Sequence, residues 1–145
     1  MLLLVDLAET GKMGVAGVER AISLSATILE IVTRTSAFQF GIGIAGAKPT
    51  VTAGSSTTLV RSEALNLLAA ADGAGKPEIE QLLVLLGGLA TNHWPLVVIS
   101  TRPRSNDVWT GAAGDWLDRR GGAWIDISDP TTNDWVSWST VNAKN

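Results

Sequence analysis

Polar side chains follow two apolar runs of this sequence, and their types suit ion or anion chemistry. They are Asp6, Glu9 and Thr10 after the first run, and Thr101, Arg102 and Arg104 after the second. Carboxylate and hydroxyl oxygens are ligands that magnesium accepts, whereas guanidinium groups pair with carboxylates and phosphates. The two sets therefore have to be placed relative to one another before either chemistry can be assigned.

The two apolar runs, Leu2–Asp6 and Leu96–Ser100, are the elements that must position these side chains. Short unbroken apolar runs are typical of strands that are buried on both faces of a parallel sheet. We expect the two strands to be central neighbours. The crevice outside their carboxyl ends would then be the topological switch point, where open α/β folds bind ligands.

The remaining pattern alternates helices with strands. Helices are predicted over 15–36, 60–71, a segment that begins near Pro77, and 109–119, and further strands over 38–45, 48–52 and 123–127. The strand over 48–52 follows a tight turn and contains Pro49, so we expect it to be an antiparallel edge strand, and 54–58 to be a polar loop. The pattern predicts one α/β domain over residues 1–145, with a mostly parallel sheet and helices on both faces. Because the chain opens directly on a core strand, we expect it to be a piece of a longer protein.

Composition excludes several functional classes. The 145 residues include no cysteine, which excludes disulfides, thiolate catalysis and cysteine-ligated zinc, and the net charge of −3 argues against nucleic-acid binding. No apolar run approaches the ~18 residues of a membrane-spanning helix. His93, the single histidine, precedes the strand Leu96–Ser100 and belongs at the edge opposite the polar cluster.

Gly41, Gly43 and Gly46 match the G-x-G-x-x-G pattern, but they lie within a predicted strand. A dinucleotide fingerprint requires the glycines to follow a strand and open a helix, so close packing is the preferred interpretation. Trp109 and Trp116 are seven residues apart, which predicts one buried face of a helix. Trp135 and Trp138, in a polar tail, suit either a partner interface or packing on the chain's own sheet.

Several short motifs of the chain resemble those of a known family. The matching features are a strand that ends in Asp6, SerLeuSerAla at 23–26, GlyIleGlyIle at 41–44, ThrAlaGly at 52–54, LeuAsnLeuLeuAla at 65–69 and LeuValValIleSer at 96–100. Together they resemble the von Willebrand factor A-like region of the bacterial domain of unknown function family fifty-eight. The resemblance extends to about Ile127.

The resemblance implies a Rossmann-like, three-layer von Willebrand A-type fold and a role in protein interaction or assembly, not catalysis. Members of this family are typically longer, with membrane segments before this region, and are often encoded beside MoxR-type AAA+ ATPases. The resemblance therefore implies an AAA+ ATPase as partner, a cytoplasmic location with tethering to the membrane by the full-length protein, and no cofactor.

The A-domain family often carries a metal-ion-dependent adhesion site, whose first loop reads Asp-x-Ser-x-Ser. Here the corresponding positions are Asp6, Ala8 and Thr10, so one hydroxyl is missing. The second loop of the site contributes a threonine, and Thr57 or Thr58 could supply it.

The third loop of such a site contributes an aspartate, and in this chain Thr101 and Arg102 stand in its place. Because a positive charge opposes a magnesium ion, we expect a degenerate site that holds no metal.

Two interpretations of Asp6, Glu9 and Arg102 remain open. The three residues could form a degenerate adhesion site that binds a partner's side chain or an anion, or a salt-bridged cluster that only closes the edge of the sheet. A second function is also open, in which Arg102 and Arg104 bind a nucleotide or small anion at the switch point.

Overall fold

A computed structural model describes residues 1–10, 13–35, 39–55, 58–89 and 92–131. Within these ranges the chain forms a five-stranded sheet in the order β3-β2-β1-β4-β5. The strands are β1 (Leu2–Asp6), β2 (Gln39–Ala45), β3 (Thr50–Ser55), β4 (Leu96–Ser100) and β5 (Ala123–Asp126). Every pairing is parallel except β2 with β3, which is antiparallel at one edge. The predicted α/β class, the antiparallel edge strand and the pairing of the two apolar strands are confirmed.

Four α-helices cover the two faces of the sheet. They are α1 (Gly14–Thr35), α2 (Thr58–Ala69), α3 (Ile79–Gly87) and α4 (Gly111–Arg120). In β1, Leu3 and Val5 pack into a core with α1 and α2, whereas Leu2 and Leu4 pack into a second core with α3 and α4. Alternate side chains of β1 therefore enter opposite cores, which is why the strand is an unbroken apolar run.

The glycines of β2 allow α3 to pack closely on the sheet. A Cβ atom at Gly43 would lie 3.2 Å from methyl groups of Leu82 and Leu86 on α3. A Cβ atom at Gly46 would collide with the backbone oxygen of Asp72. Both observations support close packing as the role of these glycines, Gly43 within β2 and Gly46 directly after it.

The structure corrects several predicted boundaries, and the helix predicted over 60–71 runs from Thr58 to Ala69. β3 begins two residues later than predicted and continues to Ser55, into the first two residues assigned to a polar loop, because Ser55 still pairs with Gln39 of β2. The helix after Pro77 begins at Ile79. The helix predicted over 109–119 begins later, at Gly111 with a φ of +63°, because Trp109 belongs to a preceding 3₁₀ turn that it ends.

Trp109 and Trp116 therefore do not share one helix, although both contact the same core. Trp109 is only 1% exposed, and Trp116 packs half-buried against its neighbours. Trp135 and Trp138 lie outside the described residues. In the part of the chain that the structure describes, no helix combines the length and apolarity needed to cross a membrane.

Candidate functional site

Asp6 ends β1 at the centre of the sheet, and its side chain is completely buried. The strand is covered on both faces, so the carboxylate cannot reach water and needs a partner within the protein. In the register of the sheet, Asp6 lies beside Ala45 of β2 and Ser100 of β4. The expected meeting of the carboxyl ends of the two central strands is therefore confirmed.

Arg102 supplies the charge that compensates Asp6. Its Nε donates a 2.9 Å hydrogen bond to Oδ2 of Asp6, and its Nη2 donates a 2.7 Å bond to Oδ1. This is a bidentate fork in which both oxygens of the carboxylate are engaged. Arg102 is itself only 6% exposed, so the pair lies inside the protein.

Ser100 completes the network around the carboxylate. Its hydroxyl donates a 2.7 Å hydrogen bond to Oδ2 of Asp6 and accepts a 3.0 Å bond from the backbone N–H of Arg102. The side chain and the backbone of Arg102 are both fixed by this arrangement. Ser100 is not among the predicted site residues, although its place at the end of β4, level with Asp6, indicates the contact.

Thr101 ties the loop after β1 to the loop after β4. Its backbone N–H donates to the carbonyl of Asp6 at 3.2 Å, and its hydroxyl donates to the carbonyl of Ala8 at 2.7 Å. On the other side, the N–H of Ala74 donates to the carbonyl of Leu7, and the N–H of Glu9 donates to the carbonyl of Ala74. The loop after β1 is thus held between two neighbouring segments.

The other predicted site residues lie away from this pair. Glu9 is exposed, and its side chain lies beside Gly73, where an added Cβ would come within 2.7 Å of Glu9 Cγ. Thr10 is half-buried, and its carbonyl accepts a 3.4 Å hydrogen bond from the N–H of Gly14. Thr57 lies outside the described residues.

Arg104 is directed towards α4 and β5, not towards Asp6. It donates to Oδ1 of Asp118 at 2.8 Å and to the carbonyl of Trp109 at 2.9 Å. Its guanidinium carbon also lies 5.8 Å from the ring centroid of Trp124. The two arginines after β4 therefore have separate carboxylate partners. His93 is exposed just before β4, at the opposite edge, as predicted.

The residues at this crevice do not fit a magnesium site. Both carboxylate oxygens of Asp6 are engaged by Arg102 and Ser100, and Ala8 has no side-chain oxygen. The guanidinium of Arg102 also lies against the carboxylate, where a nearly octahedral ion would need oxygen ligands. Within the described ranges, no group of three or more histidine, aspartate or glutamate side chains is placed to hold a metal ion.

Comparison with known proteins identifies the fold. No protein-family model matches the sequence, and no curated protein matches it. Among solved structures, the chain is similar to a von Willebrand factor type A protein from Catenulispora acidiphila, with a TM-score of 0.53 and 12% sequence identity. The match covers 90% of this chain and 34% of that protein, so the chain spans about a third of its length. The chain thus has a von Willebrand factor type A fold, a Rossmann-like α/β arrangement.

Proposed function

We propose that this chain is a non-enzymatic protein-interaction module of the von Willebrand A type, with a degenerate metal-ion-dependent adhesion site. The observation that carries the proposal is the buried fork between Arg102 and Asp6. It lies at the carboxyl ends of the central strands, where folds of this kind present their ligand site. A protein-bound cation there compensates the aspartate, and the crevice retains its shape without an added ion.

The loops that follow the two central strands carry exposed residues, which offer a surface for a partner. Glu9 is the third residue after β1, and Pro103 and Ser105 come shortly after Arg102; all three are exposed. The buried network fixes the two loops that carry these residues. Pre-ordered loops lose little conformational entropy on binding, which favours recognition of a protein surface.

The proposed partner is a MoxR-type AAA+ ATPase, in a bacterial cell and on the cytoplasmic side. Support for this partner comes from the resemblance in sequence motifs, together with the agreement in fold. The full-length protein would bring the module to the ATPase, and this region itself would contact neither nucleic acid nor membrane. The excess of acidic residues agrees with the absence of nucleic-acid binding.

The nucleotide- or anion-binding alternative is less well supported. It requires Arg102 and Arg104 to be available to a phosphate, but each already donates to a carboxylate, of Asp6 and Asp118 respectively. Releasing Arg102 would leave Asp6 buried without a counter-charge, at a cost of several kcal/mol. No observation on the described residues favours this alternative over the first proposal.

Co-purification tests the proposal directly. The full-length protein, expressed with the AAA+ ATPase encoded beside it, is expected to retain the ATPase on an affinity column. Glu9→Arg, at an exposed position of the loop after β1, should weaken retention, whereas Glu63→Arg, the same charge change at an exposed position of α2, should not. The proposal would be contradicted if both variants retained the ATPase as well as wild type does, or if the folded wild-type protein did not retain it.

A calorimetric titration separates the proposal from its alternative. ATP and NAD are expected to produce no saturable heat with the 145-residue chain. Tight binding of either nucleotide, weakened by Arg104→Ala, would favour the anion-binding function and remove the main reason for proposing an interaction module.

A further inference from the structure

The carboxylate of Asp6 is completely buried and therefore requires a positively charged partner. Proteins meet such a requirement with a paired side chain or with a metal ion. A hard metal ion needs oxygen ligands, and beside the Asp6 carboxylate the structure supplies one, the hydroxyl of Ser100 at 2.7 Å from Oδ2. The partner found there is instead the guanidinium of Arg102.

We infer that Arg102 is the built-in cation of this site: its guanidinium takes the place that a divalent metal ion would otherwise take at Asp6. The compensating charge is therefore part of the chain itself, and the crevice is ordered by this pair without a metal ion. The inference rests on the proposed function only in assuming that the crevice serves a protein partner. It adds the claim that one side chain, that of Arg102, separates the present site from a metal-binding site.

The geometry shows how completely the guanidinium fills this role. Nε and Nη2 approach the two oxygens of Asp6 separately, at 2.9 and 2.7 Å, and Ser100 donates to Oδ2 as well, so both carboxylate oxygens are already engaged. The backbone N–H of Arg102 also donates to the hydroxyl of Ser100. The cation is thereby attached to the site by its side chain and by its main chain, and it cannot dissociate as an ion would.

Removing the arginine should reverse the preference of the site. Arg102→Asp removes the guanidinium from both oxygens of Asp6 and adds a second carboxylate on the same turn, while the hydroxyl of Ser100 can still donate to Oδ2. Two carboxylates and a hydroxyl are oxygen ligands that magnesium and manganese prefer. The same substitution leaves two negative charges uncompensated, so the variant should be less stable until a divalent ion is added.

Thermal denaturation with and without magnesium or manganese chloride tests the inference. The wild-type chain should show no metal-dependent shift in Tm, whereas Arg102→Asp should gain roughly 5 °C or more at saturating metal. Arg104→Asp is the matched control, because it makes the same charge change two residues away, on a side chain that pairs with Asp118. It should not respond.

A second pair of variants keeps the test decisive if Arg102→Asp folds poorly. Arg102→Ala removes the cation without adding a charge and should also gain metal-dependent stability, smaller than that of Arg102→Asp. Adding Asp6→Ala to either variant should abolish the gain. The inference is overturned if wild type is stabilised by metal through Asp6, if neither Arg102 variant responds, or if Arg104→Asp responds equally.

These measurements use only the chain and a metal salt, so they are independent of any partner protein. Failure of co-purification with a positive metal result would remove the proposed function and leave Arg102 as the built-in cation. Retention of the ATPase with no metal response in the Arg102 variants would support the proposed function and remove the inference about Arg102.

Discussion

Ser100 lies directly opposite Asp6 on the neighbouring parallel strand, and its hydroxyl donates a 2.7 Å hydrogen bond to the Asp6 carboxylate. The same hydroxyl accepts the backbone N–H of Arg102. A residue at the end of a core strand thus connects the carboxylate to the turn that carries its counter-charge. The ion pair and the sheet register consequently support each other.

Ser100→Ala should reduce the free energy of unfolding by about 1.5–3 kcal/mol, because hydrogen bonds to buried charged groups are worth that much. The substitution removes a donor from Asp6 and an acceptor from Arg102. Ser25→Ala is a matched control, since Ser25 is equally buried but donates only to the carbonyl of Ala21 within α1. Urea denaturation should show a much smaller change there, because alanine also favours the helix.

Thr101→Val should loosen the loop after β1. Valine keeps the shape of threonine but removes the hydroxyl that donates to the carbonyl of Ala8 at 2.7 Å. We expect a loss of about 1–3 kcal/mol and faster hydrogen exchange of the Glu9 amide, which lies in the same loop and donates to the carbonyl of Ala74 in the neighbouring segment.

Thr33→Val is the control for that loop variant. The hydroxyl of Thr33 donates to the carbonyl of Leu29 on α1, which the helix engages through its own backbone. The expected change is below about 0.5 kcal/mol. Unchanged exchange at Glu9 in Thr101→Val would contradict the view that the hydroxyl holds the loop.

Gly46→Ala should destabilise the protein by about 1–3 kcal/mol, because the added methyl group collides with the backbone oxygen of Asp72. That oxygen also accepts the N–H of Ala47 at 2.9 Å and cannot move freely. Gly75→Ala places a methyl group in open space, and we expect it to be neutral or stabilising by about 0.4–1 kcal/mol. Equal Tm values for the two variants would exclude close packing as the reason for glycine at 46.

Asp129 should titrate below the ordinary range of an aspartate. The backbone N–H of Thr131 and, to a smaller extent, its hydroxyl donate to the carboxylate and lower the pKa of Asp129. Since the folded pKa is depressed, the stabilisation is complete above the unfolded pKa near 3.8 and disappears as the pH falls through the folded pKa. An NMR titration of the carboxyl carbon should show this midpoint. Thr131→Val should raise it part of the way, and Thr131→Ser should leave it nearly unchanged.

The sequence predicted those features that depend on local pattern. Two unbroken apolar runs indicated adjacent central strands, and parallel pairing at the same level then placed Asp6 near Arg102. The end of β3 could not be predicted in this way, because Ser55 is held by pairing with Gln39 across the sheet. The direction of Arg104 depends on Asp118, which a later helix brings to it.

The strongest quantitative test concerns the pair of Asp6 and Arg102. Arg102→Ala leaves a completely buried carboxylate without its guanidinium, and Asp6→Ala leaves a guanidinium that is 6% exposed without its carboxylate. Each single variant should lose about 3–5 kcal/mol, since removal of one partner of a buried pair leaves an uncompensated charge. The double variant should lose clearly less than the sum of the two single losses, with a coupling energy of up to about 3 kcal/mol.

Arg34→Ala is the control for this pair. It breaks a surface ion pair with Glu30 on α1 and should cost no more than about 0.5 kcal/mol. Additive losses in urea denaturation would show that the fork contributes nothing specific to the fold, and the role of Arg102 as the counter-charge of Asp6 would have to be abandoned.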